Sequence, residues 1–379
     1  MLRDKLERVG GLMRKEFKQL FRDERMRRMI FISPILQLII FGYAVSTDVR
    51  HVSLFVVDHD HTQASRALVD ALTAGDYFRV VGWSDRTGDI ADVLDQGRAT
   101  VALQIPPDYA RKLAGAIGRG FQGGEGVHVQ VVVDGTNSNV ATIALGYAEQ
   151  IIRTHGLGQL GVTITPPVDL RERAWFNPAL VSRNYNIPAV IGTIMLMMSL
   201  MLTALAVVRE RELGTLEQLM VSPLTPGELI AGKTIPFGII ALFDLVVITA
   251  VALAWFHIPF LGQAPLLLFA AFLFLLSALG MGLLISTVSN TQQEAFLTTF
   301  FTMMPVMMLS GFMFPVTSMP KAFQLFTLLN PLRHYLEIVR AVFLKGAGFS
   351  ALWPQFAALV GIGFTVVSVA ASRFHKTVR

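Results

Sequence analysis

No cysteine occurs in the 379-residue chain. That excludes disulfides, cysteine-ligated zinc, iron–sulfur clusters and thiol nucleophiles. Charge is scarce as well. Asp, Glu, Lys and Arg make up 16% of residues, against about 25% in an ordinary soluble domain. With 53% hydrophobic residues and a mean hydropathy of +0.54, the chain is not intrinsically disordered. Basic side chains interleaved with base-stacking aromatics are also missing, so the net charge of +5 is not a nucleic-acid footprint and no nucleic-acid partner is expected. No Ser/His/Asp set, close carboxylate pair or metal-ligand spacing converges on one readable pocket. The chain is therefore not expected to be an enzyme or to hold a metal.

The averages conceal three regions. Residues 1–47 carry ten Lys/Arg against five Asp/Glu, residues 48–186 twelve against fifteen, and residues 187–379 ten against seven. The middle block has the composition of a soluble domain, and the last holds long apolar runs. A helix needs about 20 apolar residues to cross a bilayer. Six segments qualify: Met29–Thr47, Ile187–Val208, Ile235–Phe256, Pro265–Thr287, Phe296–Phe314 and Trp353–Ser372. The first follows a long charged stretch and lacks a small-residue cleavage site, so it is not read as a signal peptide. Arg14, Lys15, Lys18, Arg22, Arg25, Arg27 and Arg28 crowd the start of the first span; Arg373, Lys376 and Arg379 follow the last. The positive-inside rule then puts both termini in the cytoplasm and residues 48–186 outside. Residues 315–352 should also lie outside, yet carry Lys321, Arg333, Arg340 and Lys345. Such a segment is either re-entrant or packed on the outer domain.

Within residues 48–186, four β-type runs (Val52–Val57, Phe78–Trp83, Thr100–Ile105, Val127–Val133) alternate with helical patterns at about Thr62–Thr73, Asp89–Gln96, Pro107–Gly115 and Ser138–His155. That alternation predicts an α/β layer, with Gly118–Gly126 a loop and Pro166–Pro167 the return toward the membrane. His51, Asp58, His59, Asp60 and His61 invite a metal-site reading. Neighbours on an extended strand point to opposite faces, however. Asp58 and Asp60 read better as ending a strand and capping the next helix.

Gly227-Glu-Leu-Ile-Ala-Gly232-Lys233-Thr234 fits G-x-x-x-x-G-K-[ST] letter for letter. A phosphate loop needs a strand that delivers a glycine-rich turn to a helix N-terminus. Here no strand precedes, Pro226 and Glu228 suit a first helical turn, and a span follows. The match is rejected.

Arg209-Glu-Arg-Glu-Leu-Gly-Thr-Leu-Glu-Gln-Leu-Met-Val-Ser-Pro223 leaves the second span. Leu213, Leu216, Leu219 and Met220 fall at helical spacing. This stretch resembles the coupling segment of ABC-2 type transporter permeases, E-R-E-x-G-T-x-E-x-L-x-V-S-P. Further pieces resemble the same family in order: Arg22-Asp23; Pro34, Gln37 and Gly42-Tyr43-Ala44; Val56-Val57-Asp58 with Ser65-Arg66; Val133-Asp134-Gly135 with Asn139; Phe176-Asn177-Pro178 with Tyr185 and Pro188; Gly227–Pro236; and Asn330-Pro331-Leu332 with Tyr335 and Arg340. The likeness covers essentially the whole chain. It is greatest to the long permeases of Gram-negative drug efflux, which carry a large periplasmic domain between spans one and two.

The resemblance implies an inner-membrane α-helical protein of six transmembrane helices with an inserted periplasmic α/β domain. Its parts would be an interfacial helix (residues 1–28), helix one (29–47), the periplasmic domain (48–186) and helices two to six (187–379). It implies a permease subunit that pairs with itself or a paralogue and binds separate ABC ATPase subunits, which hold the ATP and Mg²⁺; this chain would bind no cofactor. A periplasmic membrane-fusion adaptor and membrane lipids are further expected partners. Coupling to the ATPase would fall on residues 209–234: Arg209, Glu210, Arg211, Glu212, Gly214, Thr215, Glu217, Ser222, Pro223 and Glu228. The stretch Leu6–Phe21 would lie on the inner membrane surface through Leu6, Val9, Leu12, Met13, Phe17 and Leu20, or pack on protein. An outer gate would occupy residues 315–352, broken by Gly311, Pro315 and Pro320, with Asn330, Pro331, Arg333, His334, Glu337 and Arg340 as its polar members; a surface amphipathic helix is the plainer reading there. Asp244 stands alone within a span, read first as structural and second as part of the path. Two methionine groups, Met195, Met197, Met198, Met201 and Met303, Met304, Met307, Met308, suit either core filling or a promiscuous pathway. A membrane-anchored receptor or scaffold is the alternative function.

Overall fold

The computed structural model describes residues 2–45, 49–118, 127–159, 175–214 and 225–377. The chain divides into two compact units, Asp48–Glu172 and the remainder.

Asp48–Glu172 is built on a four-stranded sheet of order β2-β1-β3-β4. Its strands are β1 (Val52–Asp58), β2 (Phe78–Ser84), β3 (Val101–Ile105) and β4 (Gln130–Val133). β1 runs parallel to both neighbours, and β4 closes the edge antiparallel to β3. Alternation along β1 divides the core. Val52, Leu54 and Val56 meet Leu68 and Leu72 of α3 (Gln63–Thr73) on one face. Phe55 and Val57 meet Ile90 and Val93 of α4 (Asp89–Asp95) on the other. The four strand runs read from the sequence are the four strands seen. The last is shorter, because the ladder with β3 reaches only Gln104↔Gln130 and leaves Val127–Val129 outside it. Two more helices among the described residues, α5 (Tyr109–Gly118) and α6 (Ser138–Gln159), belong to the unit.

The Asp58 cluster folds as a cap. Asp58, buried, accepts from the backbone N–H of Asp60 (2.9 Å) and His61 (3.2 Å) and from Ser65 Oγ (2.7 Å). Thr62 and Ser65 form a capping box on α3. His59 and His61 turn aside to Thr87 and Asp85.

In the other unit, α1 (Leu2–Arg22) and α2 (Glu24–Ala44) precede α7 (Ser182–Glu212), α8 (Pro226–Phe256), α9 (Ala264–Val288) and α10 (Gln292–Met308). After a short 3₁₀ turn at Val316–Ser318 come α11 (Lys321–Thr327), α12 (Pro331–Arg340), a π-turn (Ala341–Lys345) and α13 (Phe349–Thr377). Among the described residues, five helices are long and apolar enough to cross a membrane: those holding Met26–Ala44, Ser182–Glu212, Gly227–Phe256, Ala264–Val288 and Phe349–Arg373. Their outer faces are apolar, as at Ile32, Leu36 and Ile40 of α2 or Ile235, Ile239 and Phe243 of α8. Contiguous apolar surface of this kind suits lipid better than water.

The expected fifth span differs. Apolar sequence continues to Phe314, but the helix stops at Met308 after 17 residues, about 25 Å at 1.5 Å per residue. Gly311 takes a φ of +80°, which turns the chain where a helix cannot continue. The segment beyond it divides: α11 is mostly exposed, as a surface helix would be, whereas α12 is not. In α12, Leu332, Tyr335, Leu336, Ile338 and Val339 have no exposure. Tyr335 stacks on Phe274 of α9 at 4.4 Å and donates to Met195 Sδ of α7 at 3.6 Å.

Candidate functional site

Helix α7 carries a polar cluster at each end. Tyr185 and Glu210 are 25 positions apart on it, about 37 Å by helical rise.

At the C-terminal end, four consecutive charges of α7 reach four different elements. Arg209 Nη1 lies 3.4 Å from Asp23 Oδ2, at the joint of α1 and α2. Glu210 accepts from Lys15 Nζ of α1 (2.8 Å) and from Lys233 Nζ of α8. Arg211 Nη1 donates to the Ser289 carbonyl at the end of α9 (2.7 Å). Glu212 accepts from the backbone N–H of Gln292 at the start of α10 (3.1 Å). Two basic residues in this last turn also suit the negative end of the helix dipole. Gly214 then leaves the helix at a φ of +68°.

Lys233 is the hub. It is 1% exposed and lies between Glu210 and Glu16, whose Oε1 is 3.8 Å away. Glu16 is reached because Leu12, Glu16 and Leu20 recur every four residues along α1, and all three are buried. Burial pushes the Glu16 carboxyl above its ordinary range; Lys233 opposes this, and Glu210 adds to it. Gly232 lets α1 approach α8, since a Cβ there would sit 3.0 Å from Leu12 Cβ. Glu228 completes the join. With Thr225 it forms the capping box of α8, and it accepts from Arg8 Nη2 of α1 at 2.8 Å.

This geometry disposes of the phosphate-loop match. Gly227–Thr234 is helix from its first residue, and the lysine that would touch phosphate is locked in a buried ion cluster. It also changes how the coupling residues are read. Arg209, Glu210, Arg211, Glu212 and Glu228 are all engaged within the chain, and Glu210, 5% exposed, is an internal brace with no surface to offer a partner. Thr215, Glu217, Ser222 and Pro223 lie outside the described residues, as do Leu216, Leu219 and Met220. In the interfacial stripe, Leu12 and Leu20 are buried against protein while Leu6 is 67% exposed. Sequence reasoning missed Lys15, Glu16 and Lys233 as a unit. The available signal was an acidic residue four positions from two leucines on an apolar stripe.

At the other end of α7, a cleft of about 730 Å³ opens between Tyr185 and the segment from Ser310 to Arg340. Of the expected gate residues, Arg333, Glu337 and Arg340 line it. The others serve the fold. Asn330 caps α12 through Leu332 N (3.0 Å) and donates to the Val306 carbonyl (2.7 Å); Pro331 is the first residue of that helix; His334 Nε2 meets the Leu328 carbonyl (2.9 Å). Arg333 bonds Glu337 (3.3 Å) and Thr327. Arg340 lies 3.8 Å over the Tyr185 ring and donates to the Gly311 carbonyl at 3.1 Å. The methionines divide likewise: Met195 and Met198 of α7 are core, while Met304 and Met308 of α10 are half exposed.

Asp244 of α8 is 6% exposed, and no described group hydrogen-bonds its Oδ2. A buried carboxylate without a partner is costly. Asp244→Asn should therefore raise the apparent melting temperature in detergent by about 2 °C or more and leave transport at the native level. Transport lost from a well-folded variant would make Asp244 part of the path.

Known proteins place this arrangement. The family described as ABC-2 family transporter protein matches residues 26–372. The chain is 33% identical over 372 residues to the probable multidrug ABC transporter permease YbhR of Escherichia coli K12, covering 98% of this chain and 99% of that one. It is 32% identical over 346 residues to the probable multidrug ABC transporter permease YbhS of the same organism, 89% of each. To the E. coli inner membrane transport permease YhhJ it is 29% identical over 388 residues, 98% of each.

Proposed function

The chain belongs to the ABC-2 family of transporter proteins, and from that premise we propose that it is the permease subunit of an exporter of drugs and other amphipathic compounds, driven by ATP hydrolysis in a separate subunit. The names of its relatives YbhR and YbhS carry the word multidrug. The observation that carries the mechanism is the tie of α1, α8, α9 and α10 to the last turn of α7. A push on the segment after Gly214 would reach all five helices at once, and α7 would deliver it to the cleft at its far end.

In this reading ATP and Mg²⁺ belong to the partner ATPase, and the path lies between two copies of this chain or one copy and a paralogue. Residues 215–223 dock on the ATPase, with Glu217 as a contact. The topology has six crossings, α10 and the apolar residues after it forming the fifth. Both termini are cytoplasmic, where the basic residues of α1 and α2 and Arg373 accord with the positive-inside rule. Residues 48–186 are periplasmic and face an adaptor.

Reconstitution with the partner ATPase tests this. Hydrolysis stimulated by the exported compound should appear only when both proteins share a membrane. Glu217→Gln should cut that stimulation without lowering basal hydrolysis. Binding of a ligand by the outer domain, with no transport alongside any ATPase, would favour a receptor or scaffold instead.

A further inference from the structure

The cleft at the N-terminal end of α7 has a charge pattern that its own residues do not satisfy. Arg340 donates once, from Nη1 to Gly311 O, and stacks on Tyr185. Its Nε and Nη2 are shielded from solvent, and no described group accepts from either. A guanidinium carries five N–H donors in a fixed fork suited to an oxyanion, so donors left over in a low-dielectric wall favour an anionic acceptor. The acid on that wall, Glu337, is already committed to Arg333 Nε (3.3 Å) and Gln355 Nε2 (3.0 Å). Lys321, exposed at the mouth, is paired with no acid among the described residues. Leu325 and Leu328 continue the wall as apolar surface, 68% and 47% exposed. The volume, about 730 Å³, is that of a site for a drug-sized molecule.

We propose that this cleft binds an amphiphile with a single oxyanionic head, carboxylate or phosphate. The head sits between Arg340 and Lys321, drawn by the charge of a guanidinium whose Nε and Nη2 have no acceptor among the described residues, and the apolar body lies along Leu325 and Leu328. Three cationic side chains against one acid repel a cationic head from the same place.

The site is tested by equilibrium binding to the full chain in a neutral detergent, without ATPase or transport, so its failure is separate from failure of the export reading. Dodecanoate and dodecyl phosphate should bind at least about tenfold more tightly than dodecyltrimethylammonium, the scale of one charge-assisted hydrogen bond. Arg340→Gln should remove that preference. Should its loss of the Gly311 and Tyr185 contacts unfold the protein, Lys321→Glu carries the test: it lies at an exposed position and should weaken both anions and strengthen the cation. Phosphatidylglycerol displacing both probes would support the proposal and assign the site to a membrane lipid; failure of the lipid to compete would support it and assign the site to free amphiphiles. Equal affinity for anion and cation, or a preference unchanged in both variants, would overturn it.

Discussion

Lys233→Met should be strongly destabilising, because it takes the buried cation out of an ion cluster that joins three helices. In the native protein two lysines, Lys15 and Lys233, face two glutamates, Glu16 and Glu210. Without Lys233, the buried carboxylates Glu16 and Glu210 lose the buried cation between them, and Lys15, 47% exposed, is too well solvated to replace it. Breaking a buried ion pair by removing one partner costs roughly 3–5 kcal/mol, because the orphaned charge stays in low dielectric. The variant should be recovered from detergent in low yield with a clearly lowered apparent melting temperature. Two further readouts separate this from simple loss of packing. Adding Glu210→Gln should restore much of the loss, since Glu16 can then pair with Lys15 alone. Lowering the pH should narrow the gap to the native protein. Glu16 has a raised carboxyl, so its ionised form is a burden above that point, and the burden fades as pH falls through it. A Lys233→Met protein as stable as the native one at neutral pH would refute the hub.

Much of this architecture was legible in the sequence. Apolar runs near 20 residues announce spanning helices because the bilayer allows few alternatives, and the nearly continuous apolar run at Val52–Val57 announces a strand with two covered faces. The ion cluster was barely legible, because it joins Glu16, Glu210 and Lys233 from three helices, and the one local hint was Glu16 standing four positions from Leu12 and Leu20 on an apolar stripe. Lys233 was harder still, as its surroundings spell a phosphate loop and only the capping box of Thr225 and Glu228 shows them to be helix. The end of α10 was missed because hydropathy continues through Leu309–Phe314; the break is conformational, set by Gly311. In the gate, residue type was a poor guide to role. Asn330 and His334 look as reactive as Arg333 and Glu337, yet their bonds to the Val306 and Leu328 carbonyls make them part of the frame.

Gly282→Val should fail for a different reason. The rod that joins the two polar clusters is α7, and α9 is pressed against it near Leu200 and Thr203. A Cβ on Gly282 would lie 2.8 Å from Thr203 Cβ and 3.0 Å from the Leu200 carbonyl oxygen. Neither atom is the free end of a side chain, so relief requires the two helices to part. Small residues at such crossings are what let membrane helices pack closely, and overpacking typically costs about 1–3 kcal/mol, occasionally more. Valine adds two methyl groups beyond the Cβ, so the upper part of that range applies. Parting α9 from α7 also pulls Ser289 from Arg211, which loosens the cluster that Lys233 holds. The variant should therefore lose stability and ATPase coupling together. Gly361→Ala on α13 is the matched control. No atom lies within 4 Å of a Cβ there and the position is exposed, so relief of glycine's helix penalty, about 1 kcal/mol, should leave it as stable as the native protein or more so. If Gly282→Val melts with the native protein while Gly361→Ala does not, the close crossing is not what holds α7 in place.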